Sequence, residues 1–394
     1  LISRHILDQA GFSESSDSQQ LVTLAVNFGS RQSTTAGYGM LFKKPLLAID
    51  IGSSSIKAIE MSGGQQKKLH NLGIELLPRG AIEAGIIRDS DVVSKALKKL
   101  MERLGIVAKN RRVAISVSGV STLIKRVTVN FEEEADADEA LYEEAKQQFH
   151  SNLDEMYFRH QEIESAFVDE GQRSFILVAA KIETIEQYVE LIHRVGLKVG
   201  ITDCDVFCLA NMFDHNYPVA DALTMAVNIG ASSTQVIFLY NGEFLFSREF
   251  FTGGNDISAR IAENLRVDFD NAESLKISAS MGDQSIADRV RPAIQEINDQ
   301  IAVEINTTLA YFQSEEMSGR FEKVDHIFLA GGAASTLDLG STISSLLRAP
   351  VQVINPFQRI DIKPSGIDMD YIMTQGSLFG ISVGLGLRDF TDVG

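Results

Sequence analysis

The chain has 394 residues, 44% hydrophobic and 23% charged, which allows two or three lobes with cores of their own and argues against bulk disorder. Its net charge of −17 opposes non-specific attraction to a nucleic-acid backbone or to an anionic membrane surface. Two cysteines, Cys204 and Cys208, exclude a disulfide framework, and no apolar run is long enough to span a bilayer.

Residues 13–39 are rich in Ser, Thr, Gln and Gly, with no apolar stretch of a secretory signal before them. Residues 1–39 therefore read as a disordered or non-native extension, with Met40 as the natural start and no contribution to the core. The apolar run over 46–51 predicts a strand that turns at Gly52-Ser53-Ser54-Ser55 into a second strand over 56–61. Apolar Val93, Ala96, Leu97, Leu100, Met101 and Leu104 predict a helix over 92–104, and a strand follows at 112–117. A compact unit comes next: a strand at 123–129, an acid-rich helix at 135–149, a strand at 175–180 and a helix at 185–195. The chain then returns near Ile201 to a helix over 203–216. Cys204 and Cys208, four apart with no histidine nearby, read as buried small residues.

The second half repeats the opening design. A strand at 225–229 turns at Gly230-Ala231-Ser232-Ser233 into a strand at 234–240, and Asn241-Gly242 joins that to another at 244–250. Gly253-Gly254 opens a helical block over 255–312. An apolar strand at 326–330 leads to Gly331-Gly332 and a helix near Ser335. An internal duplication of strand, glycine turn and strand carries more weight than either copy alone.

Each turn follows a buried strand and offers backbone N–H groups and serine hydroxyls to phosphate oxygens, glycine allowing the close approach. Asp50 at the first strand's end suits Mg²⁺ held through water, and Lys57 suits phosphate charge; Asn228 occupies the place of Asp50 in the second copy. The acidic run Glu132-Glu133-Glu134 reads as a solvated helix start, His150 and His160 as surface histidines, and Gly380, Gly384 and Gly386 as close packing of a C-terminal helix.

These motifs, in this order over about 41–388, resemble the superfamily of actin, the heat-shock chaperones, sugar kinases, FtsA and PilM. Asp50–Ser55 and Asn228–Ser233 are similar to its two phosphate motifs, but the second usually begins with Asp, and the uncharged amide of Asn228 there implies a slow ATPase at most. Phe328 to Ala333 resembles its adenosine motif, and Ala272-Glu273-Ser274-Leu275-Lys276 its Ala-Glu-x-x-Lys helix. Within it the chain resembles the PilM family of type IV pilus assembly proteins. The residues that carry this are 42–45 before the first strand, Leu153-Asp154-Glu155, Gly253-Gly254-Asn255-Asp256-Ile257, and the ending 384–388. FtsA fits less well, because the chain's last residues, 389–394, are acidic and short rather than a basic amphipathic helix.

The resemblance implies an α/β, two-lobed actin/heat-shock-chaperone ATPase fold with an inserted FtsA-type 1C subdomain. Lobe 1A would be 40–120, completed by 202–224 and 366–394; the insertion 121–201; and lobe 2A 225–365, with helical 2B at 256–319. It implies ATP and Mg²⁺ held by Gly52, Ser53, Ser54, Ser55, Lys57, Gly230, Ala231, Ser232, Ser233, Gly254, Glu273, Lys276, Gly331, Gly332 and Ala333, with Asp50 and Asn228 reaching the metal through water. The implied partners are the cytoplasmic N-terminal segment of the inner-membrane protein PilN, docked near Phe149, Leu153, Met156 and Tyr157, and other pilus assembly proteins. Nucleic acid and direct membrane insertion are not implied, and the place in the cell would be the cytoplasm beside the inner membrane. Two other classes stay open on this fold: a small-molecule kinase, using Asp203 or Asp205 as its base, and a polymerising cytoskeletal protein.

Overall fold

A computed structural model describes residues 45–64, 66–130, 137–169, 171–317, 319–362 and 367–390. The expectations for residues 1–39, for the run Glu132-Glu133-Glu134 and for the last four residues lie outside these.

The chain opens with β1 (Leu46–Ile51), buried throughout, then β2 (Ser55–Ser62) and β3 (Lys68–Leu76) as an antiparallel meander. A small ribbon, β4 (Ile82–Glu83) and β5 (Ile86–Ile87), precedes α1 (Ser90–Arg103), whose first turn is capped by the Asp89 carboxylate accepting from the Val92 N–H. β6 (Arg111–Val117) pairs parallel to β1. Next come β7 (Thr122–Asn130), α2 (Ala137–Phe149), β8 (Met156–Ile163) and β9 (Gln172–Lys181), which form a separate three-stranded sheet ordered β7-β9-β8. α3 (Ile182–Arg194), β10 (Leu197–Cys204) and α4 (Asp205–Asn216) lead back to the first sheet.

In the second lobe β11 (Leu223–Ile229), β12 (Thr234–Tyr240) and β13 (Glu243–Phe250) form another meander. α5 (Gly254–Leu265), α6 (Phe269–Ser280) and α7 (Gln284–Tyr311) make the helical block. The chain finishes with β14 (His326–Ala330), α8 (Leu339–Leu347), β15 (Val351–Val353), β16 (Asp361–Ile362), α9 (Met369–Gln375) and α10 (Gly380–Gly386).

The duplication read in the sequence extends to topology. The first sheet runs β10-β6-β1-β2-β3-β16 and the second β13-β12-β11-β14-β15. Each is built on a buried strand with an antiparallel hairpin partner on one side and a parallel strand on the other. The registers match as well: Ile51 faces Ile56 across the first turn, and Ile229 faces Thr234 across the second.

Three corrections concern elements. β3 and β10 were not expected, because each has a central glycine that reads as a break. A Cβ on Gly73 would stand 2.8 Å from the Leu104 side chain on the α1 side, and one on Gly200 would stand 2.6 Å from the Phe390 ring. The glycines admit neighbours rather than ending strands. Because β10 occupies Leu197–Cys204, the helix expected from 203 starts at Asp205. The helix expected near Ser335 starts at Leu339, after a turn that uses Asp338 at φ 61°.

The inserted unit is also shorter than read. Tyr188, Leu191 and Ile192 of α3 are buried in the cluster formed by β1, α1 and β6, and the Tyr188 hydroxyl donates to the Gly85 carbonyl at 3.1 Å. α3 therefore packs as part of the first lobe, and the module is the sheet β7-β9-β8 with α2. Its β9 alternates strictly. Phe175, Leu177 and Ala179 join Leu141 and Ala145 of α2, while Ile176, Val178 and Ala180 turn toward the first lobe's core.

Candidate functional site

The two glycine turns are built alike and meet. Gly52 N–H donates to the Ser55 carbonyl at 3.1 Å, and Gly230 N–H to the Ser233 carbonyl at 2.9 Å. The Ser232 hydroxyl donates to Ser53 Oγ at 2.8 Å, so the turns of the two lobes touch. Behind the first turn Leu77 N–H donates to the Ser54 carbonyl at 2.8 Å.

One step back from each turn the copies differ in charge. Asp50 pairs with Lys57 across the first hairpin, with Lys57 Nζ 3.1 Å from Asp50 Oδ2 and both side chains nearly buried. The equivalent pair in the second hairpin is Asn228 with Gln235, two amides. Of these two hairpin pairs only the first carries charge.

The second lobe supplies the surrounding frame. Gly254 N–H donates to the Gly230 carbonyl at 2.9 Å and Asn255 N–H to the Ala231 carbonyl at 2.7 Å, so the N-terminus of α5 sits on the second turn. This closeness requires glycine: a Cβ on Gly253 would stand 2.8 Å from the carbonyl oxygens of Gly230 and Ala231. Lys276 Nζ donates to the Gly254 carbonyl at 2.9 Å and to Glu273 at 2.7 Å, and Glu273 also accepts from the Ser258 hydroxyl. Burial lowers the Lys276 pKa, and the Glu273 carboxylate opposes that shift. Gly331, at φ 92°, donates to the Ser377 carbonyl at 2.9 Å, and Ala333 N–H donates to the Ile229 carbonyl at 3.0 Å. A side chain on Gly331 would stand 2.3 Å from the Ile229 carbonyl oxygen and one on Gly332 2.9 Å from Leu378. Glycine turns, Glu273, Lys276 and the residues from Gly331 to Ala333 therefore lie together on one side of the second sheet's strand ends.

Asp203 and Asp205 part company. Asp203, at the end of β10, is fully buried and holds Arg388 Nε at 2.6 Å, so it is committed to the C-terminal segment. Asp205, at the start of α4, faces Asp50; burial first and the Asp50 charge second push its pKa up to about 7. Glu249 was missed by sequence reading. It accepts from the Ser233 hydroxyl at 2.7 Å, and burial raises its pKa against hydrogen bonds from Ser233, Gln235 and the Gly119 N–H. The signal was available only through strand pairing, which sets Glu249 opposite Gln235. Asp205, Gln235, Glu249, Ser118 and Thr122 line a cavity of about 200 Å³ where the two lobes and the inserted module meet.

The residues expected to meet a partner separate into two sets. Leu153 and Met156 are buried in the module's own core with Leu141, Ala145 and Phe175, and Phe149 packs against that core. Leu153 and Met156 are only 4% and 9% exposed. Tyr157, pointing the other way on β8, is half-buried against the first lobe's core beside α3.

The profile of the family described as type IV pilus assembly protein PilM matches residues 48–390. The chain belongs to the PilM family. Its architecture is the actin-like ATPase fold, and its role lies in type IV pilus assembly. A solved PilM–PilN type IV pilus biogenesis complex superposes with a TM-score of 0.75 at 22% identity, covering 87% of this chain and 98% of that one. The ethanolamine utilization protein EutJ from Carboxydothermus hydrogenoformans shares the fold, with a TM-score of 0.55 at 13% identity over 89% of this chain and 91% of that one. The cell division protein FtsA of Staphylococcus epidermidis (strain ATCC 35984) is 23% identical over 372 residues, 81% of this chain and 76% of FtsA. No helix among the described residues is long and apolar enough to cross a membrane.

Proposed function

We propose that this PilM-family protein binds ATP with Mg²⁺ between its lobes and uses its inserted module to hold a short cytoplasmic segment of a PilN-type inner-membrane protein. The observation that carries the first part is the contact of the two glycine turns through Ser53 and Ser232, with α5 aimed at the same point. Backbone N–H groups of two turns and a helix N-terminus together suit a phosphate chain. Gly52, Ser53, Ser54, Ser55 and Lys57 would meet it from the first lobe, and Gly230, Ala231, Ser232, Ser233 and Gly254 from the second. Glu273, Lys276 and the run Gly331, Gly332, Ala333 would frame the nucleoside.

The residues fit Mg²⁺ only as an ion that keeps its waters. Among the described residues no group of three or more His, Cys, Asp or Glu side chains is placed to hold a metal. Asp50 and Asp205 supply negative charge, and phosphate oxygens would complete the shell. Asn228 adds no charge, which favours a nucleotide that is held over one that is turned over quickly. Buried Asp203 has its charge satisfied by Arg388, leaving Asp205 as the one carboxylate of the pair able to act near a phosphate.

For the partner, β8 is an edge strand of the module's sheet, paired only with β9 among the described residues. An extended peptide can add to such an edge through backbone hydrogen bonds while Tyr157 packs on its side chains. A chain with no membrane-crossing helix among its described residues would be held at the cytoplasmic face of the inner membrane in this way. The test is titration of the PilN-type N-terminal peptide against wild type, Tyr157→Ala and Leu153→Ala. Tyr157→Ala is expected to weaken binding on the order of tenfold, whereas Leu153→Ala lowers the melting temperature through a cavity in the module core. Equal affinity of wild type and Tyr157→Ala would move the site; no binding to wild type would remove the partner.

A further inference from the structure

The lobes meet at more than the glycine turns. Arg79 of the first lobe holds its guanidinium carbon 3.7 Å from the centroid of the Phe269 ring in the second. A cation this close to an aromatic face is attracted by the ring's negative surface. Neither residue serves the core of its own lobe. Arg79 is exposed at the apex of a turn in which Ala81 N–H donates to the Pro78 carbonyl at 3.3 Å, with Gly80 at φ 79° in the left-handed position. Phe269 is partly buried at the first position of α6 and stands outside the apolar cluster of the second lobe.

Both arms that carry the pair are rigid. Leu77 N–H donates to the Ser54 carbonyl, so the Arg79 turn is fastened directly to the first glycine turn. Behind it the Ala81 carbonyl accepts from the N–H groups of Arg88 and Asp89 at 2.9 and 3.2 Å, and Leu77, Ala81 and Ile82 are buried in the first lobe. On the other side the Asp268 carboxylate caps α6, accepting from the Asn271 N–H at 2.8 Å. One helical turn beyond Phe269 stands Glu273, and then Lys276, bonded to the Gly254 carbonyl at the second glycine turn. The stack thus runs from backbone tied to one phosphate turn to the helix placed to frame the nucleoside.

We propose that Arg79 and Phe269 are nucleotide-retention residues, their stack closing the cleft over a bound nucleotide and parting each time that nucleotide leaves. This rests on the nucleotide reading above and adds the contact that sets the release rate. The Ser53–Ser232 hydrogen bond lies between the turns themselves, where a phosphate chain would come between the two hydroxyls. The Arg79–Phe269 stack lies off the turns, so an occupied cleft can keep it. Main-chain hydrogen bonds hold both arms, so separation of the lobes must break the stack. A contact made in the closed arrangement and lost in the open one favours the closed arrangement by its own free energy.

The experiment follows release of a fluorescent ATP analogue from the full chain in Mg²⁺, by stopped flow after excess unlabelled ATP is added. Wild type is compared with Arg79→Ala, with Phe269→Leu, which keeps apolar bulk and removes the ring face, and with the double variant. Each single variant is expected to release the analogue roughly two- to fivefold faster, with a melting temperature near that of wild type. The double variant is expected to be no faster than the quicker single one, because one interaction has been removed and not two. Arg79→Gln and Phe269→Met form a second cycle, read in the same way if a variant of the first is unstable. Wild-type release rates in both single variants overturn the proposal and leave the nucleotide reading intact. Accelerations that multiply in the double variant overturn it as well, since the two residues then act separately. A folded wild-type chain that takes up no analogue removes the nucleotide reading and this proposal with it.

Discussion

Replacing Gly384 with alanine is expected to destabilise the first lobe strongly and lower its urea midpoint. α10 crosses α4 so closely that a Cβ on Gly384 would stand 1.6 Å from the Cys208 carbonyl oxygen and 2.4 Å from its carbonyl carbon. Both contacts are with backbone inside a helix, so no side-chain rotation relieves them, and α10 must move off the sheet that it covers. Overpacked cores typically lose about 1–3 kcal/mol, and a backbone collision belongs at or above the upper end. Arg388, which follows α10 and donates to Asp203, would be displaced with it, leaving that buried carboxylate without this donor. Urea unfolding of Gly384→Ala against Gly64→Ala checks this, since a Cβ on Gly64 meets nothing within 4 Å. A midpoint for Gly384→Ala equal to wild type would mean that the α10–α4 crossing is not as close as described.

Asp205→Asn is expected to stabilise the nucleotide-free protein at pH 8 and to change it little at pH 5. The folded pKa of Asp205 is raised to about 7 by burial and by Asp50. The native state thus binds this proton more tightly than the unfolded chain does. Its contribution to stability is full below the unfolded carboxylate value and is lost as pH rises toward and through 7. Asparagine keeps the shape and carries no charge to desolvate, so the variant should show a flatter decline in melting temperature between pH 5 and 8. Parallel pH profiles for the two proteins would contradict the placement of Asp205 beside Asp50.

The features legible in the sequence were those with local causes. The glycine turns after apolar strands, the Asn241-Gly242 hairpin and the amphipathic α1 all announce themselves within a dozen residues, and the duplication links the two lobes without any structure. What stayed hidden depends on residues far apart in the chain. Gly73 and Gly200 look like breaks until Leu104 and Phe390 are seen filling the space beside them. Asp203 and Asp205 look interchangeable until Arg388, 185 residues later, claims the first. Leu153 and Met156 resemble a docking strip because an apolar face reads the same whether it meets a partner or the module's own α2. Glu249 has no local signature; only the β12–β13 register brings it to Gln235 and the second turn.

Calorimetric titration of the nucleotide-free protein with ATP and Mg²⁺ tests the central claim most directly. Saturable binding of one nucleotide per chain is predicted, and its loss in folded Gly254→Val, whose side chain would crowd Ala333 and Lys276 at 3.2 and 3.3 Å. The contradicting result is a folded wild-type protein that takes up no ATP, or a Gly254→Val variant that binds it unchanged.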